Sequence, residues 1–371
     1  MPSKPVSIET EFTHLARLAL TGRGQDVQLL LHRVVKRYRG TSPELASTIA
    51  ELLREAPTRA SPLRRQSEVP LPVDGDTRLQ LLRVEDHPVF DHEPVFGTQI
   101  SAKLAQLVNE RENPAVLIEA GLHPSKTALF VGPPGVGKTL AARWLAKTLG
   151  RPLLILDLAA VMSSYLGRTG GNLRHVLDYA KTIDCVLLLD ELDAIAKRRD
   201  DGGEIGELKR LVTVLIQEID DWPSTGLLVA ATNHPELLDP AIWRRFEMLL
   251  EFPLPDTTAL SIYIIDLLSG RIDNAAIWGR VLALSLSGRS FSDVEREING
   301  LRRAAALEGR KLEDVLTTAL RTIPESKAER IELASLLVDE GIMSQRQASE
   351  LTGIARDTIR KRGGGPDSES E

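Results

Sequence analysis

The eight residues Gly132-Pro-Pro-Gly-Val-Gly-Lys-Thr139 constrain this chain more than any others. Their spacing is G-x-x-x-x-G-K-[ST], that of a phosphate-binding loop. A short apolar run, Thr127-Ala-Leu-Phe-Val131, precedes them and suits a buried parallel strand. After them, Leu140 to Leu149 repeats apolar residues at helical spacing. Strand, glycine loop and helix are the context the motif needs. The glycines let backbone N–H groups turn inward around phosphate oxygens at a helix N-terminus. The cradle is expected from Gly132, Pro133, Pro134, Gly135, Val136, Gly137, Lys138, Thr139 and Leu140. Lys138 would reach the β- and γ-phosphates of a nucleoside triphosphate, and the Thr139 hydroxyl would hold Mg²⁺.

The rest of the composition narrows the class. A chain of 371 residues with 42% hydrophobic and 26% charged residues has the make-up of a soluble globular protein of two or three domains. The net charge of −6 gives no global sign of nucleic-acid binding. The single cysteine, Cys185, excludes an internal disulfide framework and fits a reducing compartment. The histidines show no metal-ligand spacing, and no run reaches the length of a membrane span. A cytoplasmic enzyme without membrane contact is the expectation.

A second decisive stretch is Val186-Leu-Leu-Leu-Asp-Glu191. An apolar strand here delivers two carboxylates at its C-terminal end, where ligands of parallel sheets sit. Asp190 would bind Mg²⁺ through its water shell, and Glu191 would polarise the attacking water. Leu227-Leu-Val-Ala-Ala-Thr-Asn233 ends another strand on a polar side chain. Asn233 either orients that water or serves as a turn former before His234-Pro235. Arg244 and Arg245 follow in Leu238-Asp-Pro-Ala-Ile-Trp-Arg-Arg-Phe246. As planar, permanently charged forks they suit transferring phosphoryl charge, in a neighbouring subunit's site; a solvated or salt-bridged pair is the alternative.

These residues together carry a family resemblance. Residues 90–320 resemble an AAA+ ATPase of the AAA clade, with Gly132–Thr139 as Walker A and Leu187–Ala196 as Walker B with its continuation. Ala230–Asn233 resembles sensor 1, and Asp239–Phe246 the arginine-finger segment. The resemblance implies a hexameric homo-oligomer with ATP at subunit interfaces and a helical lid. Gly288-Arg-Ser-Phe-Ser-Asp-Val294 resembles the clade's pattern without a sensor 2 arginine. Met162-Ser-Ser-Tyr-Leu-Gly167 would be the pore loop, with Tyr165 and Leu166 gripping a translocating polypeptide. Arg168-Thr-Gly-Gly-Asn172 departs from the acidic stretch usual after that loop.

The organisation expected is α/β: a P-loop NTPase with a five-stranded parallel sheet, a small helical lid, and helical N- and C-terminal appendages. Residues 1–56 form a helical N-terminal domain for docking a protein substrate or partner. Prolines at 57, 62, 70, 72, 88 and 94 mark a linker over 57–98, with a short strand near Leu79–Val84. The nucleotide-binding domain spans 99–255, the lid 256–322, a helix-turn-helix-like segment 323–362 and a disordered tail 363–371. Within 344–362, Gly353 makes the turn and Ile354 and Ile359 face inward. Arg356, Arg360, Lys361 and Arg362 face outward, a pattern that fits DNA or, as a packing hairpin, a protein partner.

Overall fold

The computed structural model describes residues 12, 13, 15, 16, 24–39, 42–55, 72, 81–90, 92–158, 169–197, 205–320 and 323–363. Two compact units divide the chain, residues 1–70 and 71–371. In the first, helices α1 (Gly24–Tyr38) and α2 (Pro43–Glu55) pack together. Leu30, Val34 and Tyr38 recur along one face of α1 and are buried, with Ile49 of α2 against them. The first of these two helices begins at Gly24. Residues 12, 13, 15 and 16 are also described, and they are helical.

The second unit is built on one sheet. Its strands are β1 (Arg83–Glu85), β2 (Thr127–Val131), β3 (Leu153–Asp157), β4 (Val186–Asp190), β5 (Leu227–Thr232) and β6 (Met248–Glu251). Their spatial order is β1-β3-β4-β5-β2-β6. The five parallel strands expected from the apolar runs are all present. A sixth, β1, extends the sheet antiparallel to β3, within the stretch read as a linker. It overlaps the short strand expected near Leu79–Val84 and lies slightly beyond it, three residues long with two of them charged. Its Glu85 takes two hydrogen bonds of 2.9 Å from Arg143, which fastens this edge to the body.

The strands read as continuous apolar runs because both sheet faces are covered. Alternate residues go to opposite layers. Leu129, Leu154, Leu187, Leu189 and Leu228 pack with Leu173, Val176 and Leu177 of α6 (Thr169–Lys181) and Leu211 and Leu215 of α8 (Ile205–Asp220). Between those two helices in sequence lies the short α7 (Ala194–Lys197). Ala128, Phe130, Leu153, Leu188 and Val229 pack instead with Leu104 and Leu107 of α3 (Thr98–Glu112) and Ala141 and Leu145 of α5 (Lys138–Thr148). The short α4 (Pro114–Glu119) follows α3, and α9 (Pro240–Trp243) precedes β6.

Beyond the sheet come α10 (Thr257–Leu268), α11 (Ala275–Ser285), α12 (Phe291–Glu308), α13 (Leu312–Ala319), α14 (Lys327–Asp339), α15 (Gln345–Thr352) and α16 (Arg356–Gly363). One hydrophobic core runs through all of them. Leu260, Ile264, Val281, Val294 and Leu316 share it with Leu333, Leu337, Ala348, Ile354 and Ile359. The stretches read as 256–322 and 323–362 are thus packed as a single helical body. Residues 364–371, where a disordered tail is expected, lie outside the described residues. Among the described residues, no helix is long and apolar enough to cross a membrane.

Candidate active site

β2 lies between β5 and β6, with Val131 beside Thr232 of β5. β4 lies on the other side of β5, with Leu189 beside Ala230. Parallel pairing therefore brings the ends of β2, β4 and β5 to one edge of the sheet. The glycine loop leaves β2 at that edge. Gly132, Gly135 and Gly137 all have positive φ, at 149°, 77° and 97°. At two of them space also forbids a side chain. A Cβ on Gly132 would stand 2.1 Å from the Phe252 carbonyl oxygen, and one on Gly135 2.6 Å from Ser290 Oγ. The loop thus runs tightly between β6 and the helical body, and the Ser292 N–H donates to the Gly135 carbonyl at 3.3 Å.

Lys138 opens α5 and is buried. Its ammonium donates to the Gly132 carbonyl at 2.7 Å, the Pro133 carbonyl at 2.8 Å and Asn233 Oδ1 at 2.7 Å. Burial pushes its pKa down to about 8, against the opposing pull of Asp190 and Asp193. The three acceptors are neutral, so they satisfy the protons without balancing the charge. An anionic phosphate at this point supplies that balance. Asn233 therefore faces the loop lysine, while its own N–H donates to Asp193 Oδ1 at 3.2 Å.

Thr139 Oγ1 donates to Asp190 Oδ2 at 3.0 Å. A hydroxyl and one carboxylate oxygen are thus adjacent at the start of the helix. Among the described residues no cluster of three His, Cys, Asp or Glu side chains could hold a metal by itself. That donor set fits Mg²⁺, which keeps several waters and takes one or two protein ligands plus substrate phosphates. Bound there, Mg²⁺ would supply charge neutralisation on the phosphates, with Thr139 and Asp190 as the residues that hold it. Glu191 follows directly and lines the same cavity. It has φ of 55°, the one positive value among described non-glycine residues. A non-glycine residue in this region costs about 1–3 kcal/mol and marks a side chain held for a purpose.

Three parts of the site gave no sequence signal strong enough to find them. Asp193 is buried and accepts from Thr232 Oγ1 at 2.9 Å as well as from the Asn233 N–H, so it fixes the end of β5 against the end of β4. Only its place two residues beyond the carboxylate pair points to it. Val89, Phe90 and residues 92–95 form one wall of the cavity, which has a volume of about 570 Å³ and also includes Phe96. Tyr263, Phe291 and Glu295 of the helical body form another. Tyr263 and Phe291 meet edge to face at 5.1 Å, and the Tyr263 hydroxyl donates to Glu295 at 3.0 Å. Burial, then that carboxylate, raise the Tyr263 pKa well above its usual value, so it stays a neutral donor.

The arginines stand elsewhere. Arg244 and Arg245 follow α9 and are exposed, and neither lines the cavity of its own chain. Arg245 pairs with Asp220 at 3.0 Å, and its carbonyl accepts from Thr127 Oγ1 at 3.1 Å. Exposed pairs of this kind contribute about 0–1 kcal/mol, so the guanidinium is easily released. Tyr165, Leu166 and Arg168 lie outside the described residues.

Parallel sheet, glycine loop and paired carboxylates define a P-loop nucleoside triphosphatase. Residues 128–254 match the family described as ATPase family associated with various cellular activities (AAA). The chain is 32% identical over 321 residues to y4kL of Sinorhizobium fredii, an uncharacterised AAA family ATPase, covering 85% of this chain and 89% of that protein. It belongs to the AAA family of ATPases, and its enzymatic activity is ATP hydrolysis. It is also 32% identical over 196 residues to the proteasome-activating nucleotidase of Methanococcus maripaludis. A 29% identity over 248 residues links it to 26S proteasome regulatory subunit 7 of Caenorhabditis elegans. These alignments cover 50% and 64% of this chain, and it spans only 48% and 57% of those two relatives.

The depressed pKa of Lys138 gives a pH dependence with a fixed sign. Below about 8 the ammonium is charged and ready for phosphate. As pH rises through that value the free site loses its charge, whereas phosphate holds the proton in the bound site. ATP affinity should therefore be flat below about pH 7 and weaken by up to about tenfold per pH unit above pH 8. Titration calorimetry from pH 6 to 10, run with Lys138→Arg as the always-charged control, checks this; equal slopes in both proteins would contradict it.

Proposed function

We propose that this protein is a homo-oligomeric ring ATPase, a hexamer, that uses Mg²⁺-ATP hydrolysis to remodel or unfold protein substrates. The observation that carries the reading is a division of labour in the site. Lys138, Thr139, Asp190, Glu191 and Asn233 meet in one cavity, whereas Arg244 and Arg245 stand exposed outside it. Glu191 is the base that polarises the attacking water, and Asn233 orients that water beside the γ-phosphate. Gly132 to Leu140 cradles the phosphates. The two arginines act on a neighbour's nucleotide, so the ring completes each site. Proteasome-related relatives support the remodelling role.

Tyr165 and Leu166 line the central pore and grip the polypeptide. An aromatic there offers large, sequence-tolerant contact area at low entropic cost. Residues 1–56 dock the substrate or an adaptor, and the assembly works in the cytoplasm. DNA, the other partner the sequence allows, would be met at residues 344–362.

Two variants test the reading. Glu191→Gln should bind ATP as the parent does and hydrolyse it at least about 100-fold more slowly. Phosphate release measured beside nucleotide binding decides it, and normal turnover would remove Glu191 from the base role. Tyr165→Ala should lower the amount of substrate protein processed per ATP hydrolysed by at least about tenfold. Unfolding of a tagged reporter protein checks this, and an unchanged ratio would remove the pore role.

A further inference from the structure

The end of the helical body has a geometry that ATP hydrolysis does not require. α15 and α16 are joined by three residues, Gly353 to Ala355. Gly353 has φ of 70° and donates its N–H to the Ser349 carbonyl at 3.0 Å, closing α15. Thr352 Oγ1 donates to the Ala348 carbonyl at 2.7 Å, and the Ala355 carbonyl accepts from the Thr358 N–H at 2.9 Å as α16 starts. Ser344 caps α15 in a reciprocal pair with Gln347. Two short helices across a three-residue, glycine-containing turn have the helix lengths and the turn of a helix-turn-helix.

The apolar side of both helices is already used. Ala348, Ile354 and Ile359 are buried against Leu333 and Leu337 in the core of the helical body. What faces solvent is polar: Gln345, Arg346, Gln347 and Glu350 on α15, then Arg356, Asp357, Thr358, Arg360 and Lys361 on α16. Among the described residues, a protein partner bound here would meet no exposed large apolar side chain to bury. Residues 344–362 carry five basic and two acidic side chains in a chain of net charge −6. The acidic ones are partly spent locally, Glu350 on Arg346 at 2.9 Å and Asp357 on Arg360 at 3.4 Å. An α-helix is about 10–12 Å across with its side chains, a diameter that a major groove about 12 Å wide admits.

We propose that this face binds duplex DNA, with α16 in the major groove and α15 across the backbone. Arg356 and Thr358 on the first turn of α16 meet base edges, and Arg360 and Lys361 meet phosphates. Because the same core extends to α10 and α12, whose Tyr263 and Phe291 wall the nucleotide cavity, the reader is part of that body rather than a tethered appendage.

Removing residues 324–371 would strip Leu333, Leu337, Ala348, Ile354 and Ile359 from that core, so surface substitutions are the sharper test. Fluorescence anisotropy of a labelled duplex of about 30 base pairs of mixed sequence, titrated with the full chain at low salt, reads the binding directly. The affinity should fall steeply with salt. The triple variant Arg356→Ala/Arg360→Ala/Lys361→Ala should weaken it at least tenfold and lower the salt slope by about 2, with far-UV circular dichroism unchanged. Arg360→Gln alone, a milder surface change, should lower the slope by about 1. No binding at low salt, binding unaltered in both variants, or single-stranded RNA competing as well as duplex would each overturn the proposal.

Discussion

A buried ammonium needs acceptors for all its protons, and the site is arranged around that need. Lys138 can be buried only because the loop carbonyls of Gly132 and Pro133 turn toward it and Asn233 reaches across from β5. The carbonyls can turn because Gly132 and Gly135 adopt positive φ where a Cβ would collide with Phe252 and Ser290. Asn233 can reach because Asp193 holds its N–H and the neighbouring Thr232 hydroxyl. One side chain thus ties the end of β2 to the end of β5, and β5 in turn to β4 with its carboxylates. What the arrangement leaves is a positive charge with hydrogen bonds but no counter-ion nearby except Asp190 and Asp193. A triphosphate supplies the missing charge.

The second constraint is the contact between this edge and the helical body. Gly135 has no room for a side chain because Ser290 and Ser292 stand against it. The N–H of Ser292 donates to the same residue. Changes at the phosphate loop therefore press directly on α12, and through the shared core on every helix from Thr257 to Gly363. The shared core also places the polar face of α15 and α16 on the body that walls the nucleotide cavity.

Much of this could be read in the sequence, for physical reasons that differ by element. Buried parallel strands need apolar residues on both faces, so the runs at 128–131, 153–156, 185–189, 227–231 and 248–252 match β2 to β6 within a residue or so. The phosphate loop is legible because its glycines answer a steric demand at fixed spacing. Strand β1 is legible only in part: the strand expected near Leu79–Val84 overlaps it at Arg83 and Val84, and an edge of three residues held by an Arg143–Glu85 pair needs no apolar pattern to fix its bounds. The role of Asp193 is also hidden, since its partners are 39 and 40 residues away. Tyr263, Phe291 and Glu295 look like ordinary helix residues until α10 and α12 are seen beside the loop. The union of 257–363 into one core is hidden because Pro324 and the change in composition mimic a boundary that the packing of Leu333 and Leu337 ignores.

If arginines from a neighbouring copy finish each site, two inactive proteins should rescue one another. Mixing Glu191→Gln with Arg244→Ala/Arg245→Ala and following steady-state ATP hydrolysis reads this out. In a mixed ring, an interface that pairs an intact Glu191 with intact arginines from the next subunit is complete. Random mixing at equal amounts makes roughly a quarter of the interfaces complete. Hydrolysis should then recover to about that share of the parent rate. A mixture no more active than the average of its two components would contradict completion of the site by a neighbour.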